Sequence, residues 1–282
     1  MKSALLKDDA FLADVESASG DPADVFRVWW LGQSGFLIRW DSHFLFFDPY
    51  LSDSLTRKYS TTDKPHVRIT EQVVDPARLD FVDVVTSSHN HTDHLDGETL
   101  TKLMGAKEDI AVVVPGANRA FAADRLHVPE DRLVSADVGS PIDCGPFRLE
   151  AVPAAHEELS TDDQGRHRFI GLVASFGPFV VYHSGDTMLY EGMTETLAGR
   201  SIDLSLLPVN GRAPERRVAG NLWGREAAQL AKDISSRFVI PCHYDMFEFN
   251  TATPDEFVEA CTACGQEFRV LQNGEGWKVN AR

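Results

Sequence analysis

Between Ser88 and Leu95 the chain reads His89-Asn90-His91-Thr92-Asp93-His94, which places four metal-ligating side chains within six residues. Imidazole is the commonest side-chain ligand for transition metals, and carboxylate is its usual hard companion. In an extended stretch, side chains two apart point the same way, so His89 and His91 can share one ion. Asp93 continues that register, and the adjacent His94 can reach a second ion beside the first. Two ions about 3.5–4 Å apart serve in-line hydrolytic chemistry. The bland alternative is a solvated turn that holds no metal, and the density of ligands argues against it.

Three later residues complete the set. His156 follows an expected strand at 147–152, and Asp186 lies in His183-Ser184-Gly185-Asp186-Thr187, just past one at 179–183. His243 follows a strand expected at 238–241. Taken singly, each is more often structural. Standing at strand ends, all three can converge on one rim with the first cluster. A mixed imidazole and carboxylate set without cysteine accepts one or two divalent ions, manganese or zinc, with iron also admitted.

The elements that must position these residues are readable from apolar spacing. Residues 4–17 are spaced as a short amphipathic helix ended by Gly20-Asp21-Pro22. Strands are expected at 28–31, 36–40 and 44–47, with Gly32-Gln33-Ser34-Gly35 as the first turn. Residues 51–70 are polar and weakly patterned, a loop near whatever the protein binds. A buried strand at 81–86 runs directly into the histidine cluster. Further strands are expected at 111–114, 147–152, 170–175, 179–183, 204–207 and 238–241, and helices at 98–104, 117–126, 225–234 and 254–263. A final hairpin is expected through 268–271 and 277–279, with Asn273-Gly274 as its turn. Strand hairpins followed by βα units, twice over, fit an α/β (α+β) four-layer αββα sandwich. No linker or low-complexity tract interrupts the pattern, so residues 1–282 read as a single domain.

Composition narrows the partners. Of 282 residues, 43% are hydrophobic and 25% charged, ordinary globular values. The formal net charge of -16 argues against nucleic acid and anionic lipid, whose phosphates need neutralising by lysine and arginine. No stretch approaches the roughly 18 apolar residues that span a bilayer, and the start lacks the apolar centre of a signal peptide. Four cysteines, including Cys261-Thr262-Ala263-Cys264, do not make a disulfide framework. A cytoplasmic protein acting on a small molecule is the expectation, and a homo-oligomer is compatible with it.

The ordered motifs, His89-Asn90-His91-Thr92-Asp93-His94 with His156, Asp186 and His243, resemble the five-motif signature of the metallo-β-lactamase superfamily over nearly the whole chain. The resemblance implies that His89, His91 and His156 hold one metal and Asp93, His94 and His243 the other, with Asp186 between them. Narrower segments are similar to the L-ascorbate-6-phosphate lactonase family: Trp30-Leu31-Gly32-Gln33-Ser34-Gly35-Phe36, Leu207-Pro208-Val209-Asn210-Gly211-Arg212, Gly220-Asn221-Leu222-Trp223-Gly224-Arg225-Glu226-Ala227 and His243-Tyr244-Asp245-Met246-Phe247. That similarity implies a cytoplasmic hydrolase of a phosphorylated sugar lactone, often with manganese.

A divalent ion lowers the pKa of bound water from about 15.7 to around 7. The hydroxide so generated, oriented by Asp93 as the catalytic residue, is suited to attack an ester or lactone carbonyl. Asn210, Arg212, Arg216 and Arg217 form the concentrated basic stretch that follows, and Arg212 with Asn210 is the expected phosphate site. A solvated loop is the competing reading. Tyr244 can offer its hydroxyl to substrate or simply pack. Asp48, before Pro49, is placed to hydrogen-bond a ligand histidine, and His183 either orients a ligand or is a satisfied core residue. The rival functions are a phosphodiesterase acting on a small phosphodiester or phospholipid, and a non-catalytic scaffold of the same fold.

Overall fold

The computed structural model describes residues 1–282, the side chain of Pro214 excepted. The chain opens with helix α1 (Asp8–Ser17) and a run of three antiparallel strands, β1 (Val25–Trp30), β2 (Phe36–Trp40) and β3 (His43–Phe47). After the short helix α2 (Ser54–Lys58) come β4 (Val84–Thr86), helix α3 (Gly97–Ala106), β5 (Ala111–Pro115), helix α4 (Arg119–Leu126) and β6 (Leu133–Ala136). These three later strands add in parallel to β3.

The second sheet is built from β7 (Ile142–Cys144), β8 (Phe147–Pro153), β9 (Ile170–Phe176), β10 (Phe179–His183), β11 (Leu204–Pro208) and β12 (Phe238–Cys242), with helices α5 (Met193–Leu197), α6 (Gly224–Asp233) and α7 (Asp255–Cys264) between or after them. The last strand, β13 (Gly276–Asn280), returns to pair antiparallel with β1. The orders are β13-β1-β2-β3-β4-β5-β6 and β12-β11-β10-β9-β8-β7. This is the αββα sandwich expected from the pattern.

Residue alternation explains the layers. In β1–β3, Phe26, Val28, Trp30, Phe36, Ile38, Leu45 and Phe47 face the second sheet. Their neighbours Trp29, Leu37, Phe44 and Phe46 face the outer layer, against Phe11 and Val15 of α1 and Leu100 and Leu103 of α3. A sheet covered on both sides needs apolar residues at consecutive positions, which is why Phe44–Phe47 carries no polar break. The inter-sheet core closes on an aromatic knot: Phe26 meets Phe176 edge-on at 5.5 Å and Phe179 at 4.8 Å. On the other side, α6 packs on β11 and β12, with α7 against α6.

Two expected elements differ. The strand expected at 81–86 is regular only over Val84–Thr86. The expected terminal hairpin does not form: Phe268 makes a parallel bridge to Val239 in the second sheet, while 276–280 joins β1 in the first. Gly274 does turn the chain, with φ +81, but the turn carries it from one sheet to the other. Two apolar runs around a turn look alike whether they pair with each other or with separate sheets. No helix among the described residues is long and apolar enough to cross a membrane.

Replacing Phe26, 1% exposed in the aromatic knot, by alanine is expected to destabilise the fold by about 3–5 kcal/mol in urea unfolding. A loss under about 1 kcal/mol would mean that the two sheets do not share this core.

Candidate metal centre

All seven expected metal-ligating residues come together at one end of the sandwich, where strands from both sheets stop. The segment after β4 carries His89 to His94. The segment after β8 carries His156, that after β10 carries Asp186, and that after β12 carries His243. The His89–His94 segment is not extended, contrary to the alternation argument: the His91 carbonyl accepts from the N–H groups of His94 (3.2 Å) and Leu95 (2.8 Å), so the chain turns on itself. Convergence comes from the turn rather than from strand periodicity.

Ligand atoms form three overlapping groups, each within 4.8 Å: His89, His91 and His156; His89, His94 and Asp186; and Asp93, His94 and His243. Asp186 bridges them. Its Oδ1 lies 3.2 Å from His94 Nε2, and its Oδ2 lies 3.3 Å from His243 Nε2 and 3.7 Å from His156 Nε2.

Three of the five imidazoles, those of His94, His89 and His156, are oriented by their other nitrogen. Asp48, fully buried at the end of β3, accepts from His94 Nδ1 at 2.6 Å and from the Ser88 N–H at 2.9 Å. The Ser88 hydroxyl donates to Asp48, leaving its oxygen to accept from His89 Nδ1 at 3.0 Å. His156 Nδ1 donates to the Gly220 carbonyl at 2.9 Å. With these nitrogens engaged, the Nε2 atoms are directed inward. The inward atoms His89 Nε2, His94 Nε2 and Asp186 Oδ1 are buried without a hydrogen-bond partner. Buried polar atoms ordinarily have one, so the donor set fits a divalent cation.

The electrostatics agree. Burial works against charge on Asp93 and Asp186, but the imidazoles of His94 and His243 outweigh it and hold both carboxyls well below their ordinary range. Burial likewise disfavours charge on His94 and His243, yet the two carboxylates raise His94 well above its usual value and His243 to about 9. On the other side, burial and neighbouring imidazoles lower His89, and burial takes His91 down to about 4. One half of the centre therefore demands positive charge, and the other offers neutral nitrogen.

Positioning is sharp at Gly185, whose φ is +59 and where an added Cβ would lie 2.6 Å from Ser88 Cβ and 2.8 Å from the Ile170 carbonyl. Only glycine lets the Asp186 turn lie against the histidine segment. His183 makes that turn firm: its Nε2 donates to the Ser34 carbonyl at 2.9 Å, its Nδ1 accepts from the Gly185 N–H at 3.3 Å, and its ring stacks on Phe47. It orients the turn that carries Asp186 and touches no metal-ligating atom directly.

The expected substrate-binding residues are elsewhere. Arg212 forms a two-pronged ion pair with Glu226, at 2.7 Å from each nitrogen, and does not line the cavity over the centre. Arg216 donates to the Asn210 carbonyl at 2.6 Å, and Arg217 pairs with Asp63. Asn210 is fully buried, holding Asn221 and Asn250. Tyr244 is buried against Trp30 and donates to the Leu271 carbonyl at 2.7 Å. In a chain with many more acids than bases, these arginines are taken up by protein acceptors, which residue type alone could not reveal.

The cavity, about 540 Å³, instead presents Lys58, Arg125, Tyr59, His66 and Asn250, together with Gln33. Lys58 Nζ donates to the Thr92 hydroxyl at 3.1 Å, and Arg125 donates to the carbonyls of Asn90 (2.8 Å) and Leu95 (3.1 Å). Two cations thus brace the histidine segment on either side of His91, with neutral partners. Lys58 and His66 lie in the weakly patterned 51–70 stretch, and Arg125 lies on a helix whose other face is core, so no local signal marked them. Gln33 had one: a long polar side chain inside a Gly-x-x-Gly turn.

Asp48→Asn is expected to weaken metal binding about 10–100-fold, since a neutral amide no longer anchors His94 Nδ1. Metal titration against a competing chelator reads this, and unchanged affinity would remove Asp48 from the centre.

Comparison with known proteins agrees with this geometry. A family model described as Beta-lactamase superfamily domain matches residues 45–244, a span holding Asp48 and all seven converging residues. A UPF0173 metal-dependent hydrolase from Chelativorans sp. is 30% identical over 261 residues, covering 90% of this chain and 99% of that protein. A relative of the same description from Metallosphaera sedula is 28% identical over 213 residues, 73% of this chain and 87% of its own length. Among solved structures, Igni18, described as a novel metallo hydrolase from Ignicoccus hospitalis, has a TM-score of 0.67 at 20% identity, covering 92% of this chain and 100% of that one, a likeness of fold. The chain belongs to the β-lactamase superfamily, among its UPF0173 metal-dependent hydrolases.

Proposed function

We propose that the chain, acting as one domain, hydrolyses a small carboxylic ester, most readily a lactone bearing an anionic group, at a centre of one or two divalent ions. The observation that carries this reading is the convergence of His89, His91, His156, Asp93, His94, His243 and Asp186, with His89 Nε2, His94 Nε2 and Asp186 Oδ1 buried and without a hydrogen-bond partner. In this reading His89, His91 and His156 hold one ion and Asp93, His94 and His243 the other, with Asp186 shared. Manganese or zinc suits the donor set, with iron also admitted. A divalent ion supplies Lewis acidity and brings the pKa of water to about 7.

Asp93 borders the cavity, with its side chain 14% exposed, whereas the other carboxylate, Asp186, is nearly covered. It is the group placed to accept a proton from the attacking water and return it to the leaving alkoxide. Lys58 and Arg125 flank the same opening and suit a phosphate or carboxylate on the substrate, the role expected earlier of Arg212. The lactone preference is supported by the similarity of the Trp30–Phe36 and His243–Phe247 segments to the lactonase family. Phosphodiester cleavage is the second reading, favoured by the same two cations. The absence of a basic stripe disfavours polynucleotides.

Purified, metal-reconstituted protein assayed on a phosphorylated sugar lactone, a bis-aryl phosphodiester and a short RNA separates the readings. The lactone is expected to turn over fastest, and preference for the phosphodiester would overturn the ester assignment. Asp93→Asn is expected to lower kcat by about 10²–10⁴-fold. Exhaustive chelation should abolish turnover, and added divalent metal should restore it.

Lys58→Ala and Arg125→Ala are each expected to raise KM about 10–100-fold for the phosphorylated lactone, the worth of a charged hydrogen bond. Neither should do so for its unphosphorylated analogue. Arg212→Ala should show no such discrimination. If it alone discriminates, the anion is held on the other wall.

A further inference from the structure

Gln33 is 2% exposed and sits inside the group of atoms read above as the second cation position. Its amide Nε2 lies 2.8 Å from Asp93 Oδ2 and 2.9 Å from His243 Nε2. Both residues also belong to the Asp93, His94 and His243 cluster. The backbone is committed to this placement. Gln33 has φ +49 and His243 has φ +63, and the His243 N–H donates to the Gln33 carbonyl at 3.0 Å. The same carbonyl accepts from Trp30 Nε1 at 2.9 Å. Two non-glycine residues in the left-handed region, joined to each other, are backbone strain held where ligand atoms meet.

An amide has two faces. Its NH₂ group suits the Asp93 carboxylate when no cation lies between that carboxylate and His243. Its oxygen suits the same place when a cation is there, because N–H hydrogens pointed at a positive charge are repelled. The terminal torsion of glutamine is broad and roughly two-fold, so exchanging the faces costs little.

We propose that Gln33 is a metal-responsive member of the second cation position. Its N–H face is turned inward while Asp93 and His243 share no ion, and its oxygen face is turned inward as an added donor once they do. Gln33 thereby sets the affinity of the second ion without touching the first, which rests on His89, His91 and His156. An added amide oxygen biases that position toward hard, oxygen-preferring cations such as manganese. The inference rests on the reading of Asp93, His94 and His243 as a cation site.

Two substitutions with opposite signs test it. Gln33→Asn tolerates the left-handed backbone but withdraws the amide by one methylene. Gln33→Glu offers oxygen permanently and no N–H. Metal-free protein is titrated with manganese and separately with zinc, reading stoichiometry and both affinities, with melting temperature followed with and without metal.

Gln33→Asn is expected to weaken the second equivalent about tenfold and leave the first unchanged. Gln33→Glu is expected to melt lower than wild type without metal, where its carboxylate faces Asp93, and to show a larger metal-induced rise in melting temperature. A crystal structure of manganese-loaded wild type should place Gln33 Oε1 within about 2.5 Å of the second ion. A wild-type protein that binds two ions with the amide turned away, or variants with unchanged second affinity, would overturn the role of Gln33 alone. A wild-type protein that retains only one ion under saturating metal would overturn it too. Failure to bind any metal would overturn both this inference and the hydrolase reading.

Discussion

Two carboxylates, Asp93 and Asp186, are set among five imidazoles at the end of a largely apolar sandwich, and the rest of the centre follows from the need to balance them. A buried ionised carboxylate is costly unless paired and hydrogen-bonded. Here both are held ionised by the adjoining His94 and His243, whose own protonation is favoured in return. Without a metal the two imidazoles supply the positive charge that the carboxylates require, the charge that a divalent cation would supply in their place. Such an arrangement invites a small divalent cation more than it invites a hydrophobic ligand.

The scaffold supplies that arrangement by ending strands of two sheets at one level. Each of the seven converging residues follows a strand fixed by packing rather than sitting in a long free loop, so the positions inherit the rigidity of the core. The surrounding residues then choose which ring nitrogen faces inward: Asp48 and Ser88 for the histidine segment, the Gly220 carbonyl for His156. His183 ties the Ser34 carbonyl to the Asp186 turn and so couples the two sheets directly above the core. A fold of this kind hosts more than one chemistry. The chemistry of this chain is therefore to be sought in the lining of its cavity.

Much of the centre was legible because metal ligation needs particular residue types, and these are dense between His89 and His94 and stand just past strands elsewhere. The strands were legible because a sheet covered on both faces writes continuous apolar runs, as in Phe44–Phe47. What was not legible depends on pairing between distant residues. Arg212 looks like an anion binder until Glu226 is seen across two hydrogen bonds. Lys58 and Arg125 carry no local pattern and become notable only through a shared opening. The terminal segment misled for the same reason, since alternation records which residues face a core but not which strand lies alongside. Even the closeness of His89, His91 and Asp93 comes from a turn, through the His91 carbonyl, rather than from the extended geometry that the spacing suggested.

The pairing of β13 with β1, Val25 opposite Asn280 and Trp29 opposite Gly276, has a consequence for synthesis. The strand that carries Trp29 and Trp30 stays uncovered along one side until residues 276–280 are available to pair with it. Contacts between residues so far apart in sequence close late. During translation the nascent chain exposes an apolar strand edge of the type that recruits other strands. Pairing of β1 with Gly276–Asn280 makes β13 the seal on that edge, and how soon the seal closes sets how long β1 is open to pairing with other strands.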